Sequence, residues 1–280
     1  MSVPAIPPFR MRRDGALDLL CLEVAAADGN PGALMVVSTR RGGVSFGRGD
    51  LNLSDGTGDA PDLVLGNRGM FTHTLDSLAS APAARIAGLR QRHTADIHQV
   101  DSENVESFID RRHEGDGMIT RLDDVWLSIS IGDCLPVMLY DPHSRVLGMV
   151  HAGWEGTAAR IAEAAVEQMA DEFGCNPSDL VAVLGPCIRP WRYQVDGRVF
   201  EKFRTRWAGE GWQRFLSDSS DGRGYLDLAA ANRALLLENG LSGEKVVDFG
   251  LCTGALPALF FSHRRDDLPG GRMLALAALL

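Results

Sequence analysis

An alternation of apolar and small polar residues near the middle of the chain constrains its fold most. Leu127, Ile129 and Ile131 alternate with two serines, and this period of two is typical of a half-buried β-strand. Short apolar runs over 136–140 and 146–150 follow closely, and runs of this length suit buried strands. The sequence therefore predicts at least one large β-sheet in the central part of the chain.

Helices are predicted on either side of this central segment. In residues 157–172, Ile161, Ala165 and Met169 recur every four positions and glutamates fall on the other face, which is the pattern of an amphipathic helix. Further helices are predicted at 59–76 and 226–239, and further strands at 33–39, 180–184, 246–249 and 273–279, the last of which also fits a helix. Strands and helices are interspersed without a regular alternation. We therefore predict an α+β (mixed α/β) fold, a single domain with mixed β-sheets flanked by helices.

The composition limits the classes of function. The chain has 280 residues, 45% of them hydrophobic, and a formal net charge of -9; the acidic balance argues against a generic nucleic-acid surface. Its apolar stretches are shorter than a membrane span, and residues 1–13 lack the apolar core of a signal peptide. The five cysteines are odd in number and irregularly spaced, which is typical of reduced thiols. We expect a cytoplasmic protein with neither nucleic-acid nor membrane partners.

Three residues carry donor atoms suited to a metal ion, and each lies next to segments of strand character. His93, Cys134 and His151 supply two imidazoles and one sulfur, which bind zinc and leave a fourth position for water or substrate. Their wide separation is no zinc signature, however. Each also fits a plainer role, a small core cysteine or a hydrogen-bonded structural histidine, and five other histidines compete. The residues alone leave the ligand set open.

Other polar clusters have two interpretations each. Arg40 and Arg41 precede two glycines, so they either present an arginine to an anion or form a solvated loop. Residues 264–266 form a second anion-binding element or, as we favour, a salt-bridged surface turn. Residues 185–187 form a binding loop or a strand end. Dinucleotide, phosphate-loop and nucleophile-elbow motifs are missing from the sequence, which removes several common enzyme classes.

A series of short motifs, taken in order, resembles one known family. The matching segments are TRRGGVS at 39–45, LNL at 51–53, GD at 58–59, NR at 67–68, QRH at 91–93, GDGMIT at 115–120, DCLPV at 133–137, HAGW at 151–154, LGPCI at 184–188, YQV at 193–195, CT at 252–253, FSHRRD at 261–266 and GRM at 271–273. Together they resemble the laccase-domain family, also called multicopper polyphenol oxidase-like or YfiH-type. The resemblance implies a YfiH-like catalytic domain over 34–280, preceded by a peripheral lead-in over 1–33.

The resemblance also implies an activity and a metal site. Bacterial members of the family are described as purine nucleoside phosphorylases with additional adenosine deaminase activity. The His, Cys, His metal site of the family falls on His93, Cys134 and His151, which would also be the catalytic residues. We therefore expect zinc, with copper as the alternative metal. The expected partners are phosphate and a purine nucleoside: adenosine, inosine or methylthioadenosine. The oligomeric state stays open.

Two further residues are predicted to bind substrate. Arg40 is the first candidate for phosphate, because a guanidinium matches phosphate oxygens with a bidentate fork. Asn52 is a candidate for hydrogen bonding to sugar or base, although a role in a turn fits equally well. Asp133 either orients a ligand or makes a structural hydrogen bond, and we favour the second.

The sequence departs from the pattern of the family beside the metal ligands. Arg92 and Thr94 stand where the family has valine and glycine, and Glu155 stands where a basic residue is common; these changes bear on substrate preference. Two other enzymatic readings stay open: a cysteine hydrolase or amidase that edits peptidoglycan precursors, with Cys134 as nucleophile, and a copper-dependent polyphenol oxidase. A metal-stabilised interaction protein is the non-enzymatic alternative, and it would require a fourth protein ligand.

Overall fold

The computed structural model describes residues 9–46, 49–78, 85–207, 211–218, 223–266 and 270–280. The strands in these ranges are β1 (Arg10–Asp14), β2 (Leu17–Ala25), β3 (Pro31–Ser38), β4 (Arg41–Ser45), β5 (Ile86–Gly88), β6 (Ile97–Val100), β7 (Gly117–Thr120), β8 (Trp126–Ile131), β9 (Leu135–Asp141), β10 (Val146–Ala152), β11 (Val181–Leu184), β12 (Gln194–Val195), β13 (Leu216–Asp218), β14 (Gly224–Leu226), β15 (Val246–Asp248) and β16 (Met273–Leu279). The helices are α1 (Pro61–Leu75), α2 (Val105–Ile109), α3 (Trp154–Ala158), α4 (Ile161–Phe173), α5 (Gly197–Arg206) and α6 (Leu228–Glu238).

Two six-stranded sheets form the centre of the fold. The first has the strand order β1-β2-β3-β16-β8-β5 and the second β15-β11-β9-β10-β7-β6, and a small third sheet has the order β12-β14-β13. Most neighbours are antiparallel, but β5 pairs with β8, β6 with β7 and β11 with β15 in parallel. The sheets are therefore mixed, and the predicted α+β class is confirmed.

The two large sheets pack face to face, and helices cover their outer faces. Leu20 of β2 and Met138 of β9 belong to one buried cluster between the sheets. Leu19, the neighbour of Leu20, points the other way and packs in a second cluster with Phe71 of α1. Val137 of β9 packs in a third cluster with residues of α4 and α6. This period of two gives each sheet two buried faces, and the result is a four-layer arrangement of helix, sheet, sheet and helices.

Local sequence signals account for the helix ends. Pro61 stands in the first turn of α1, where its missing N–H costs no intrahelical hydrogen bond. The Asp227 side chain accepts a hydrogen bond from the backbone N–H of Ala230 and caps α6, as N-terminal aspartates commonly do. The helices predicted at 59–76 and 226–239 are confirmed. None of the helices in the described ranges is long and apolar enough to cross a membrane.

Two expectations about the fold are wrong. The single helix predicted at 157–172 is two helices, α3 and α4, because Arg160 adopts a left-handed backbone conformation with φ of 65°. The lead-in at 1–33 is not peripheral over its described residues, since β1 and β2 belong to the first large sheet and Leu19 is fully buried. Residues 1–8 of that segment lie outside the described residues. The ambiguous segment 273–279 is the strand β16, between β3 and β8.

Candidate metal centre

The structure brings the three predicted metal ligands together from distant parts of the chain. His93 lies in the loop between β5 and β6, Cys134 between β8 and β9, and His151 within β10. One donor atom from each side chain lies within 4.8 Å of the others. The Sγ atom of Cys134 is 3.9 Å from Nε2 of His93, and the two imidazole centroids are 5.0 Å apart. Three donor atoms of the types that zinc prefers therefore lie close together in this cluster.

The loop that carries His93 is held by one carboxylate. His93 adopts a left-handed backbone conformation with φ of 60°, which is uncommon outside glycine. The backbone N–H groups on both sides of it, from Arg92 and Thr94, donate to Oδ2 of Asp116 at 3.0 and 2.7 Å. The Thr94 hydroxyl donates to the same oxygen at 3.1 Å. These bonds fix the direction of the His93 side chain.

The same carboxylate orients His151. Nδ1 of His151 lies 2.7 Å from Oδ1 of Asp116, and both side chains are buried. A carboxylate only accepts when ionised, so Nδ1 carries the proton and Nε2 keeps its lone pair for a metal. Burial raises the pKa of Asp116, but hydrogen bonds from His151 and from the backbone of Thr94 and Arg92 outweigh it and lower the pKa to about 2. Asp116 is therefore an ionised positioning residue for both histidines.

Sequence reasoning did not single out Asp116. Its signal was present, because the segment GDGMIT at 115–120 is one of the motifs that carry the family resemblance. A carboxylate that accepts from a ligating histidine is a common outer partner in metal sites. The Cys134 thiol interacts with His93 directly. Their hydrogen bond raises the pKa of His93, although burial of the imidazole acts in the opposite direction.

A glycine lets the backbone approach the three donors closely. A Cβ atom added at Gly153 would lie 2.7 Å from Cδ2 of His93 and 3.1 Å from Sγ of Cys134. Real Cβ atoms essentially never approach other heavy atoms within 3.0 Å. Gly153 therefore forms one wall of the space into which the ligand atoms point, and the residues present fit a small metal ion.

The substitution Gly153→Ala tests this packing. We expect the added methyl group to displace His93 and to weaken zinc binding about tenfold or more, a loss like that for outer partners of metal ligands. Competition with a chromophoric zinc chelator measures the affinity. Gly69→Ala is the matched control, because nothing lies within 4 Å of a Cβ at that helical glycine. Wild-type zinc affinity in Gly153→Ala would contradict the proposed geometry.

Asp133 connects the Cys134 loop to two segments near the end of the chain. Its Oδ1 accepts from the Thr253 hydroxyl at 2.5 Å, and its Oδ2 accepts from the Ser262 hydroxyl at 2.9 Å and from the backbone N–H of Arg264 at 2.7 Å. Asp133 itself has a φ of 102°. These contacts are the structural role that we favoured for Asp133 from the sequence.

A cleft lies near Cys134, because Tyr193 in its lining is close enough to that thiol to interact with it electrostatically. It has a volume of about 270 Å³, and its wall begins at Trp154, directly after Gly153. The guanidinium of Arg264 lies 5.1 Å from the ring centroid of Tyr193, and burial raises the pKa of that phenol, so it is neutral at physiological pH. The lining residues are Trp154, Tyr193, Gln194, Val195, Asp196, Arg198, Val199, Arg223 and Arg264.

The structure gives Arg40 structural partners. Its guanidinium donates to both carboxylate oxygens of Asp50, at 3.1 and 2.6 Å, and to the carbonyl of Pro257 at 3.1 Å. It also lies 4.6 Å from the ring centroid of Phe261, and its side chain is only 15% exposed. Phosphate binding by Arg40 stays a prediction, and these contacts favour a structural role.

Asn52, the second residue predicted to bind substrate, lies in the core. Its side chain is fully buried, and its amide donates to the hydroxyl of Thr57 at 2.8 Å and to Asp59 at 3.1 Å. Its carbonyl oxygen accepts from the backbone N–H of Arg272 at 3.0 Å. The turn role suggested for Asn52 matches these contacts, and substrate binding by Asn52 stays a prediction.

The departures from the family pattern have local partners. The side chain of Arg92 pairs with Glu114 at 2.6 Å on the surface, so its charge is balanced. Thr94 adds the hydroxyl bond to Asp116 described above, and His93 rather than Thr94 takes the left-handed conformation. Glu155 lies in the first turn of α3, where an acidic side chain is favourable.

Two histidines positioned by a buried carboxylate, together with one cysteine, define the candidate metal centre of an α+β protein. The chain belongs to the family described as multi-copper polyphenol oxidoreductase laccase, whose profile matches residues 34–280. A purine nucleoside phosphorylase of Deinococcus radiodurans is 39% identical over 86% of this chain and 87% of that protein. The alignment with purine nucleoside phosphorylase YlmD of Bacillus subtilis, 38% identical, spans 57% of each chain.

Two other similarities extend the comparison. Adenosine deaminase RL5, from an unknown prokaryotic organism, is 31% identical over 84% of this chain and 90% of that protein. The crystal structure of YlmD from Geobacillus stearothermophilus superposes with a TM-score of 0.81 at 31% sequence identity, covering 97% of this chain and 99% of that chain. The YfiH-like fold and the family resemblance are therefore confirmed.

Proposed function

We propose that this protein is a zinc-dependent purine nucleoside phosphorylase that acts on adenosine and inosine, with methylthioadenosine as a further substrate. The observation that carries the proposal is the convergence of His93, Cys134 and His151 within 4.8 Å beside the aromatic and arginine-lined cleft. The relatives named purine nucleoside phosphorylase support the reaction. The two imidazoles and one sulfur favour zinc.

The residues around the donors support a catalytic rather than a structural centre. A structural zinc has four protein ligands, whereas a catalytic zinc keeps an open position. In the described part of the chain, three His, Cys, Asp or Glu side chains form this cluster. When bound, zinc would supply Lewis-acid stabilisation of developing negative charge. Asp116 keeps His151 in the tautomer that offers Nε2, and Cys134 would take part as a thiolate.

The reaction places clear demands on the cleft. In phosphorolysis the bond between C1′ of the ribose and the purine nitrogen breaks, a phosphate oxygen forms the new bond to C1′, and the purine leaves with a proton. The ring of Trp154, in the lining of the cleft, offers a stacking surface for a purine. Arginines in the lining offer charge-assisted hydrogen bonds to phosphate. The cleft thus combines both recognition chemistries next to the metal ligands.

A direct assay tests the proposed function. Purified protein is incubated with adenosine or inosine and inorganic phosphate, with zinc and with a chelator, and the products are separated by liquid chromatography. We expect purine base and ribose 1-phosphate to form with zinc and to disappear with the chelator. The absence of purine base and ribose 1-phosphate under every metal condition would overturn the proposal.

Adenosine deamination is a second candidate activity. It is favoured by the relative named adenosine deaminase RL5 and by the open position of the three-ligand cluster, where a water could be activated. Formation of inosine from adenosine without phosphate is its readout in the same assay.

The other readings have less support. Sγ of Cys134 lies 3.9 Å from Nε2 of His93, which also suits a cysteine nucleophile and its base; a covalent Cys134 adduct formed without metal would favour the peptidoglycan-editing hydrolase. A copper polyphenol oxidase with several copper ions needs more ligands than the one His and Cys cluster of the described residues. Zinc therefore ranks before copper in the proposal.

A further inference from the structure

We propose that Arg264 binds the phosphate co-substrate in the cleft near the metal ligands. This inference rests on the proposed function and assigns to its cleft a residue that the sequence did not favour. From the sequence alone, Arg40 was the first candidate for phosphate and residues 264–266 were favoured as a surface turn. The contacts of the two arginines reverse this order.

The guanidinium of Arg40 already binds a carboxylate in a bidentate ion pair. Both oxygens of Asp50 accept from it, and the carbonyl of Pro257 accepts from its remaining terminal nitrogen. A second carboxylate, Asp266, lies 3.9 Å from the same guanidinium. To bind a phosphate there, the protein would have to break a partly buried bidentate ion pair, and the two aspartates would repel the incoming anion.

The guanidinium of Arg264 has a different environment. Within the described residues, its side chain makes one hydrogen bond, from Nη1 to the neutral backbone carbonyl of Gln194, and no carboxylate of those residues forms an ion pair with it. The side chain is exposed to the cleft and lies over the ring of Tyr193. Its positive charge and further N–H donors therefore face the cleft.

The backbone fixes Arg264 relative to the metal ligands. Its N–H donates to Oδ2 of Asp133, and Asp133 is the residue directly before Cys134. The guanidinium lies over the ring of Tyr193, and Tyr193 is close enough to Cys134 to interact with it electrostatically. An anion bound by Arg264 would therefore lie near the ligand cluster. This arrangement places a nucleophilic oxyanion and a nucleoside in one cleft, as phosphorolysis requires.

The other charged groups among the described lining residues are mostly basic. Arg198 and Arg223 line the cleft with Arg264, and Asp196 is the one acidic residue of that described lining. Asp196 pairs with Arg198 at 3.0 Å rather than with Arg264, and Glu155 lies close enough to Arg198 to interact with it electrostatically. The acidic groups are thus matched to Arg198, and Arg264 keeps the charge that attracts phosphate.

The test compares phosphate-dependent and phosphate-independent reactions. For Arg264→Ala we expect the KM for inorganic phosphate in inosine phosphorolysis to rise about tenfold or more, as for loss of a charge-assisted hydrogen bond. The KM for inosine at saturating phosphate should change little, because Arg264 is assigned to phosphate rather than to the nucleoside. The rate of adenosine deamination should also change little, because that reaction does not use phosphate. Arg264→Lys should recover part of the affinity. Arg204→Ala is the control, since Arg204 pairs with Glu201 on the surface of α5.

Calorimetric titration of wild-type protein, Arg264→Ala and Arg264→Gln with inorganic phosphate keeps the inference testable without turnover. Weaker phosphate binding by both variants, with melting temperatures like that of the wild type, supports it. Equal phosphate binding, or an equal fall in phosphorolysis and deamination, overturns it. A wild-type protein that binds phosphate through Arg264 but converts no nucleoside would instead overturn the proposed function. A loss of phosphate affinity in Arg40→Ala alone would return the role to Arg40.

Discussion

Asp116→Asn should weaken zinc binding by about 10- to 100-fold, the usual range for an outer partner of a metal ligand. The asparagine oxygen can still accept from Nδ1 of His151, but the amide nitrogen cannot accept from the backbone of Arg92 and Thr94 as Oδ2 does. The His93 loop and the His151 ring would then lose their common anchor. Zinc competition titration measures the affinity, and phosphorolysis at limiting zinc should fall with it.

Asp110→Asn is the control for this substitution, because Asp110 is an exposed aspartate that pairs with Arg112 on the surface. The control should keep both zinc affinity and activity. Excess zinc should restore a large part of the Asp116→Asn activity, since the three ligands remain. Full zinc affinity in Asp116→Asn would show that the carboxylate does not position the histidines.

Cys134→Ser should remove zinc and abolish phosphorolysis. A serine hydroxyl is a far poorer zinc ligand than a thiolate, so the loss should exceed the 10- to 100-fold typical of an outer partner. The product assay measures the activity. Cys21→Ser is the matched control, because Cys21 lies in β2 of the first sheet and should keep full activity.

The Cys134→Ser result also separates two mechanisms. A metal centre predicts that the variant and the chelated wild-type protein lose activity together. A mechanism with Cys134 as nucleophile predicts that the chelated wild-type protein stays active whereas Cys134→Ser is inactive. Retention of phosphorolysis in Cys134→Ser would contradict both.

Much of the fold was predictable from side-chain periodicity. The period of two in residues 127–131 marks β8 correctly, although Ser128 is buried as well because its hydroxyl donates to the carbonyl of Ala87. The three residues of the predicted four-residue repeat, Ile161, Ala165 and Met169, are buried in α4, and Ala162 and Val166 are buried beside them. The break at Arg160 was not predictable, because a single left-handed residue leaves the hydrophobic repeat intact.

The place of residues 10–25 was also missed, for a physical reason. Arg10 to Asp14 form an edge strand that pairs with β2 on one side, and edge strands tolerate exposed charges. Its arginines therefore gave no apolar signal. The buried strand β2 belongs to the large sheet because it pairs with β3. This pairing depends on the tertiary fold and could not be predicted from the residues of β2 alone.

The candidate site could be predicted only in part. The family resemblance selected His93, Cys134 and His151, whereas their separation in the sequence did not. Asp116 and Arg264 take their importance from contacts across the fold, with His151 and Tyr193 respectively. Arg40 was predicted to bind phosphate because it lies beside glycines, and its ion pair with Asp50 could not be predicted from the sequence.

Metal analysis of the purified protein by inductively coupled plasma mass spectrometry tests the central claim most directly. The wild-type protein is measured beside Cys134→Ser and the control Cys21→Ser after exhaustive dialysis. We predict about one zinc ion per chain in the wild-type and control proteins and almost none in Cys134→Ser. Equal zinc contents in all three proteins, or none in the wild-type protein after growth with zinc, would contradict a zinc centre at His93, Cys134 and His151.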